Sequence, residues 1–147
     1  FEAGLHGQKT GQGYYRYEGR KALPNPAIQS LATRLAHTHG IARDKAPDAD
    51  EMFERLLFPM VNEAARILEE GIAYRGSDID VVWANGYGFP RWRGGPLFMA
   101  DEIGLNTVVD RMDHYAERTG NAQGYWDVAP LLRRVAAEGG RLSDWKN

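Results

Sequence analysis

The sequence predicts an all-α fold with an irregular, glycine-rich N-terminal tail, and three observations carry that reading. Apolar residues recur at helical spacing in several runs. Each run is bounded by capping or helix-stopping residues. From about residue 26 onward no convincing strand pattern follows. Bulk properties agree: 147 residues suit one domain or a domain with an extension, and 43% hydrophobic with 26% charged residues can build a core. A net charge of −2 makes no electrostatic case for nucleic acid. No apolar run approaches the ~18 residues that a membrane span needs. The lack of cysteine excludes disulfides and thiolate chemistry, and with no signal-peptide pattern the expected location is cytoplasmic. The chain opens on Phe1, not Met, which reads as a piece of a longer polypeptide.

In chain order, residues 4–20 hold Gly4, Gly7, Gly11, Gly13 and Gly19 with Tyr14, Tyr15 and Tyr17. Such glycine density predicts turns leading into a short extended stretch, with the tyrosines anchoring it to a core. A GxG at 11–13 is followed by Arg16 where the dinucleotide fingerprint requires glycine, so the fingerprint fails. Asn25 then caps a helix with Pro26 at its first position. Ile28, Leu31, Ala32, Leu35 and Ala36 share one face of it, and Gly40 stops it. "ARDKAPDAD" (42–50) is a charged connector.

The clearest helix is "DADEMFERLLFPMVNEAARILEEG" (48–71), where Phe53, Leu57, Met60, Val61, Ala64 and Leu68 form one wide stripe. Pro59 inside it is expected to kink it. In "GSDIDVVWANG" (76–86) Ser77 reads as the cap, Asp80 as its capping-box partner and Gly86 as the stop. Pro96 starts a short helix, and Asn106 is expected to cap the next, with Val108, Val109, Met112 and Tyr115 inward. "APLLRRVAAEGG" (129–140) supplies the last, with Leu131, Leu132 and Val135 apolar.

Chemistry is sparse. His6, His37, His39 and His114 are scattered, and His37 and His39, two apart on a helix, point in different directions, so no metal site is expected. The carboxylates cluster at helix termini, where the macrodipole accounts for them. No serine has a nucleophile-elbow context. What remains is "NGYGFPRWRGGPLFMADEIGL" (85–105), with five glycines, two prolines, two arginines and a tryptophan. Two readings stand. Arg91 and Arg93, beside glycines and ahead of a helix starting at Pro96, can hold a phosphate or carboxylate. Alternatively Gly86, Gly88, Gly94 and Gly95 let helices approach, Phe89 and Trp92 fill the core around Pro90, and the arginines bond to orphan helix carbonyls.

Three segments in order resemble the C-terminal helical region of L-3-hydroxyacyl-CoA dehydrogenases, of the type fused to an enoyl-CoA hydratase in multifunctional fatty acid β-oxidation proteins. "GQKTGQGYYRY" (7–17) is similar to the tail of that family's first helical repeat. "ERLLFPMVNEAARILEEGIA" (54–73) is similar to the opening helix of its second repeat, and residues 77–105 to that repeat's GxGFPxxRGGP signature. The resemblance implies a helical bundle of the 6-phosphogluconate dehydrogenase C-terminal-like kind. It implies that residues 1–20 end the first repeat, 21–47 form a linker with one helix, and 48–147 form the second repeat.

The same resemblance implies that NAD is held by an upstream Rossmann domain and that none is bound here. The catalytic His–Glu pair of the family is not in this chain, so no catalytic residue is expected in it. Glu54 stands where the first repeat carries an active-site Asn. Asn85 stands just before GxGFP, where some bacterial members carry a tyrosine associated with substrate binding. The expected role is therefore support of an acyl-CoA cleft by intramolecular packing, a pseudo-dimer in which the stripes on the 50–70 and 107–115 helices meet the first repeat. The Rossmann and first helical domains, and a thiolase subunit, are the implied partners. Residues 86–96 then act mostly as an elbow, with Asn85, Arg91 and Arg93 as the candidate substrate contacts. The alternative is a freestanding helical interaction or CoA-binding module.

Overall fold

The computed structural model describes residues 2–41 and 46–147. The Phe1 start and residues 42–45 of the charged connector lie outside the described residues. The chain divides into two compact units, Phe1–Ala46 and Pro47–Asn147.

In the first unit a 3-10 turn, Gln8–Thr10, leads to an antiparallel hairpin of β1 (Tyr15–Glu18) and β2 (Lys21–Pro24), paired from Tyr15↔Pro24 to Glu18↔Lys21. The two-residue loop is made possible by Gly19 at φ +60°. Gly13 lies so close to Gly7 that a side-chain carbon there would stand 2.7 Å from the Gly7 Cα. The helix α1 (Pro26–Thr38) begins as expected: Asn25 Oδ1 accepts from the Ala27 N–H at 3.2 Å. The Asn25 amide also donates to the Gly13 carbonyl at 2.8 Å and ties the helix to the turn. The tyrosines do not anchor a core within this unit, because the sheet of β1 and β2 has two strands and leaves Tyr14 and Tyr15 exposed. Of the predicted α1 face, Ala36 is buried and Leu35 exposed.

The second unit is wholly helical in its regular structure: α2 (Ala49–Glu69), α3 (Gly76–Gly86), α4 (Pro96–Ile103), α5 (Leu105–Thr119) and α6 (Pro130–Ala137), with 3-10 turns at Arg91–Arg93 and Ala122–Gly124. Asp48 caps α2, accepting from the Glu51 N–H at 2.9 Å, and α2 continues through Pro59 as one helix. It touches α3, α4, α5 and α6 and so forms the centre of the unit. Of its stripe Leu57, Val61, Ala64 and Leu68 are buried, Met60 is half-buried, and Phe53 at its start stays exposed. Val108, Val109, Met112 and Tyr115 of α5, and Leu131, Leu132 and Val135 of α6, point inward as their spacing predicts. The stripes on α2 and α5 are therefore taken up by the core of this same unit. They do not face outward toward a partner.

Two caps differ from expectation. Neither Ser77 nor any other side chain caps α3: its N-cap is Arg75, and Gly76 begins the helix against the Leu142 carbonyl, too close for a Cβ. Asn106 does not cap α5, because α4 and α5 are separated only by Gly104 at φ +97°, which places Asn106 already inside the helix. Polar side chains inside the unit instead tie elements together over long sequence distances. Asn62, 3% exposed, donates to the Asp127 carbonyl at 2.8 Å and accepts from the Ala129 N–H at 2.7 Å, fastening the entry to α6 onto α2. Asp101 accepts from the Leu142 and Ser143 N–H groups at 2.8 and 3.0 Å, fastening the C-terminal segment onto α4.

Candidate functional site

The predicted site lies between α3 and α4. Asn85 sits on the last turn of α3, where its amide donates to the Val81 carbonyl at 2.8 Å. After Gly86 the Tyr87 and Phe89 N–H groups both bond back to the Trp83 carbonyl, at 3.2 and 3.1 Å, which turns the chain sharply. Phe89 is partly buried against the core, and Pro90 leads into the Arg91–Arg93 turn. Gly88 supplies a φ of +72°. No side-chain carbon at Gly86 or Gly88 would meet a neighbour, so the close approach expected of the loop's glycines is made by Gly94 and Gly95 alone.

Asp80 is the pin of this loop. It does not serve α3 as a capping-box residue. Its carboxylate accepts from the Leu97 and Phe98 N–H groups at 2.8 and 3.0 Å and so caps α4, across the loop. Gly95, at φ +146°, lets the backbone pass against that carboxylate. Asp80 is 5% exposed, and burial pushes its carboxyl above the ordinary carboxylate range. The two backbone N–H groups pull the other way, and the charge of Asp101 adds to the rise. The folded state therefore binds this proton more readily than the unfolded one. The contribution of Asp80 to stability falls as pH rises from the ordinary carboxyl range through the raised value. For Asp80→Asn, whose amide cannot accept from both N–H groups, we expect a loss of about 1–2 kcal/mol in acid. That loss narrows as pH rises through the same window. Urea midpoints at about pH 4 and about pH 7 test this, and a gap that does not change with pH contradicts it.

The two arginines do not reach helix carbonyls. Arg91 donates to Asn85 Oδ1 at 3.1 Å, and the Arg93 guanidinium lies 4.2 Å from the Trp92 ring centre. Trp92 is not in the core: it is 78% exposed, because the Arg91–Arg93 turn lifts it off the surface. Among the described residues neither Arg91 nor Arg93 has a carboxylate partner, whereas Arg75, Arg111, Arg118, Arg133 and Arg141 all do. The elbow thus brings Asn85 and Arg91 into contact at the surface, with Arg93 against Trp92 two residues further on, and Asp80 holds the loop from behind. It places no general acid or base beside them. The arrangement can receive an anion.

A second polar cluster was not legible as such. Glu54 Oε2 accepts from Tyr115 Oη at 2.5 Å and from Arg111 Nε at 2.6 Å, and Arg118 pairs with Glu51. Burial pushes the Tyr115 phenol up to about 12, and the hydrogen bond to Glu54 adds to it, so the phenol stays protonated and donating. The signal available in the sequence was the Arg111, Tyr115, Arg118 spacing along one helical face. Its acidic partners lie some sixty residues away, which periodicity does not reveal.

Comparison with known proteins follows the same residues. The family model described as "3-hydroxyacyl-CoA dehydrogenase, C-terminal domain" matches residues 52–144, a span that holds both the loop and the core of the second unit. The chain is 37% identical to a peroxisomal bifunctional enzyme of Cavia porcellus and 38% to that of Homo sapiens, in each case over 99% of this chain and 20% of the relative. It is 36% identical to a glyoxysomal fatty acid beta-oxidation multifunctional protein of Cucumis sativus, over 93% of this chain and 19% of that protein. The chain thus spans about one-fifth of the length of these curated relatives. Their names overturn the expectation of a cytoplasmic location, which rested on missing signals and not on any positive feature: the relatives are peroxisomal or glyoxysomal. With more than half its residues matched and its helices accounted for, the chain belongs to the family of the 3-hydroxyacyl-CoA dehydrogenase C-terminal domain.

Proposed function

We propose that this chain is the C-terminal helical part of an NAD-dependent 3-hydroxyacyl-CoA dehydrogenase in a peroxisomal β-oxidation protein that also carries an enoyl-CoA hydratase. Within it, residues 48–147 are the second helical repeat, 1–20 the end of the first, and 21–47 the linker between them. The chain supports the acyl-CoA cleft by packing and does no chemistry itself. The family match over 52–144 carries this reading. In such an enzyme NAD would supply hydride acceptance and a histidine acid–base chemistry, each held by parts of the polypeptide outside this chain. The residues present do not fit NAD: Gly7, Gly11 and Gly13 shape a turn ahead of a hairpin, with no strand-to-helix phosphate cradle.

Asn85, Arg91 and Arg93 are the chain's contacts for an anion at the edge of that cleft, either a phosphate of acyl-CoA or a carboxylate of a neighbouring domain. A thiolase subunit is a further partner of the whole assembly. No specific observation favours the freestanding-module alternative. The test is the full-length polypeptide assayed with acetoacetyl-CoA and NADH, with and without residues 48–147. We expect removal to lower kcat/KM about tenfold or more, since loss of cleft support misplaces reacting groups. Undiminished turnover contradicts the supporting role. Calorimetric titration of this chain with acetoacetyl-CoA, against the Arg91→Ala/Arg93→Ala double variant, tests the phosphate contact. Heat lost in the variant supports it, and no heat in either assigns the arginines elsewhere.

A further inference from the structure

The outer face of α3 and the loop after it form an apolar band with two uncompensated positive charges. Val81 and Val82 are 59% and 55% exposed, and Asn85 continues their face one turn further along. Tyr87, whose ring lies against Trp83, and Trp92 follow in the loop, both more than two-thirds exposed. Arg91 and Arg93 sit in it without carboxylate partners among the described residues. The nearby acids are engaged, Asp78 by Arg75 at 2.7 Å and Asp80 by the start of α4. Both guanidiniums are already held in place, Arg91 by Asn85 and Arg93 on the Trp92 ring, so little freedom remains to be lost on binding.

We infer that this face docks a protein segment with apolar side chains over Val81, Val82 and Trp92 and carboxylates on Arg91 and Arg93. The segment comes from the remainder of the longer polypeptide, which rests on the reading of this chain as a packing partner within it. Exposed Trp, Tyr and Arg in one patch are the residue types that anchor protein interfaces, and a guanidinium beside an indole pairs bidentately with a carboxylate once water is excluded. A phosphate ligand satisfies the arginines but leaves the two valines and the tyrosine uncovered. Another apolar surface is a groove of about 350 Å³ lined by Leu56, Met60, Ile67, Ile79, Trp83 and Tyr125. Its rim charges Arg55 and Glu63 are already paired, so it selects no charged partner.

The test is hydroxyl-radical footprinting with hydrogen exchange, on the full-length polypeptide and on this chain alone, each as such and with Arg91→Glu/Arg93→Glu. The expected result is Trp92 oxidation about tenfold slower in the full-length polypeptide, with the 81–93 amides protected, and charge reversal abolishing both. Unchanged melting of the charge-reversed chain alone shows that its fold is intact. Trp92 equally reactive in both, with Met52 and Leu56 protected, overturns this inference while the packing reading survives on another face. No protection anywhere overturns both. Protection that survives charge reversal removes the carboxylates from the interface. Protection that requires acetoacetyl-CoA assigns the arginines to substrate phosphate, and protection of the chain alone that grows with concentration assigns the face to a second copy. Each of these last three overturns the inference.

Discussion

Gly95→Ala is expected to destabilise the helical unit by about 4 kcal/mol or more, a large fraction of the ~5–15 kcal/mol that a unit of this size usually has. Gly95 adopts φ +146°, ψ 172°, a region open in practice only to glycine, which imposes strain of about 1–3 kcal/mol on alanine. The new methyl group would also stand 2.4 Å from the Cβ, Cγ and Oδ1 of Asp80. Asp80 cannot yield without releasing the Leu97 and Phe98 N–H groups, each left unpaired at about 1–3 kcal/mol. Gly94→Ala is the internal control. Its methyl would meet the Phe98 ring, a half-exposed side chain that can swing away, so its φ of +81° is the main penalty. Urea unfolding followed by circular dichroism tests both. Equal effects of the two substitutions refute the pinning role of Asp80.

Asn62→Ala is expected to lower stability by about 2–4 kcal/mol, a fall in Tm of roughly 10 °C or more for a unit of about this length. The side chain is buried and bridges α2 to the segment that enters α6. The two ends of that bridge respond differently. The Asp127 carbonyl keeps a second donor, Arg66, at 2.8 Å, but Ala129 is 1% exposed and its N–H bonds to Asn62. Asn62→Asp preserves that acceptor while turning a carboxylate oxygen toward the Asp127 carbonyl. Its deficit is therefore expected to be smaller in acid and to grow as the carboxyl ionises. Thermal melts across pH check this. An Asn62→Ala protein that melts with the wild type shows that water fills the gap.

Much of the helical unit was legible. The stripes on α2, α5 and α6 follow from a period of 3.6, as the Asn25 cap of α1 follows from capping chemistry, both local in the chain. The loop's position and its glycines and arginines were legible too. Its orientation was not. Trp92 looked like a core residue by type, and only the turn that lifts it off the surface makes it exposed. One of the two readings had the arginines meet helix carbonyls, but Asn85 and Trp92 are their partners. Ser77 and Asn106 had the right chemistry for caps at the wrong offsets, because Gly76 and Gly104 set where α3 and α5 begin.

The sequence by itself determined where the helices lie, which stripe of each faces inward, and which family the chain resembles. These depend on spacings of a few residues, and short-range periodicity survives without knowledge of the fold. Only the tertiary structure decided how the polar groups are used. Asp80 caps a helix 17 residues further on, and Asn62 holds a segment 67 residues away. Those pairings exist because α2, α3, α4 and α6 pack together, and a buried polar group must bond to whatever the packing brings within reach.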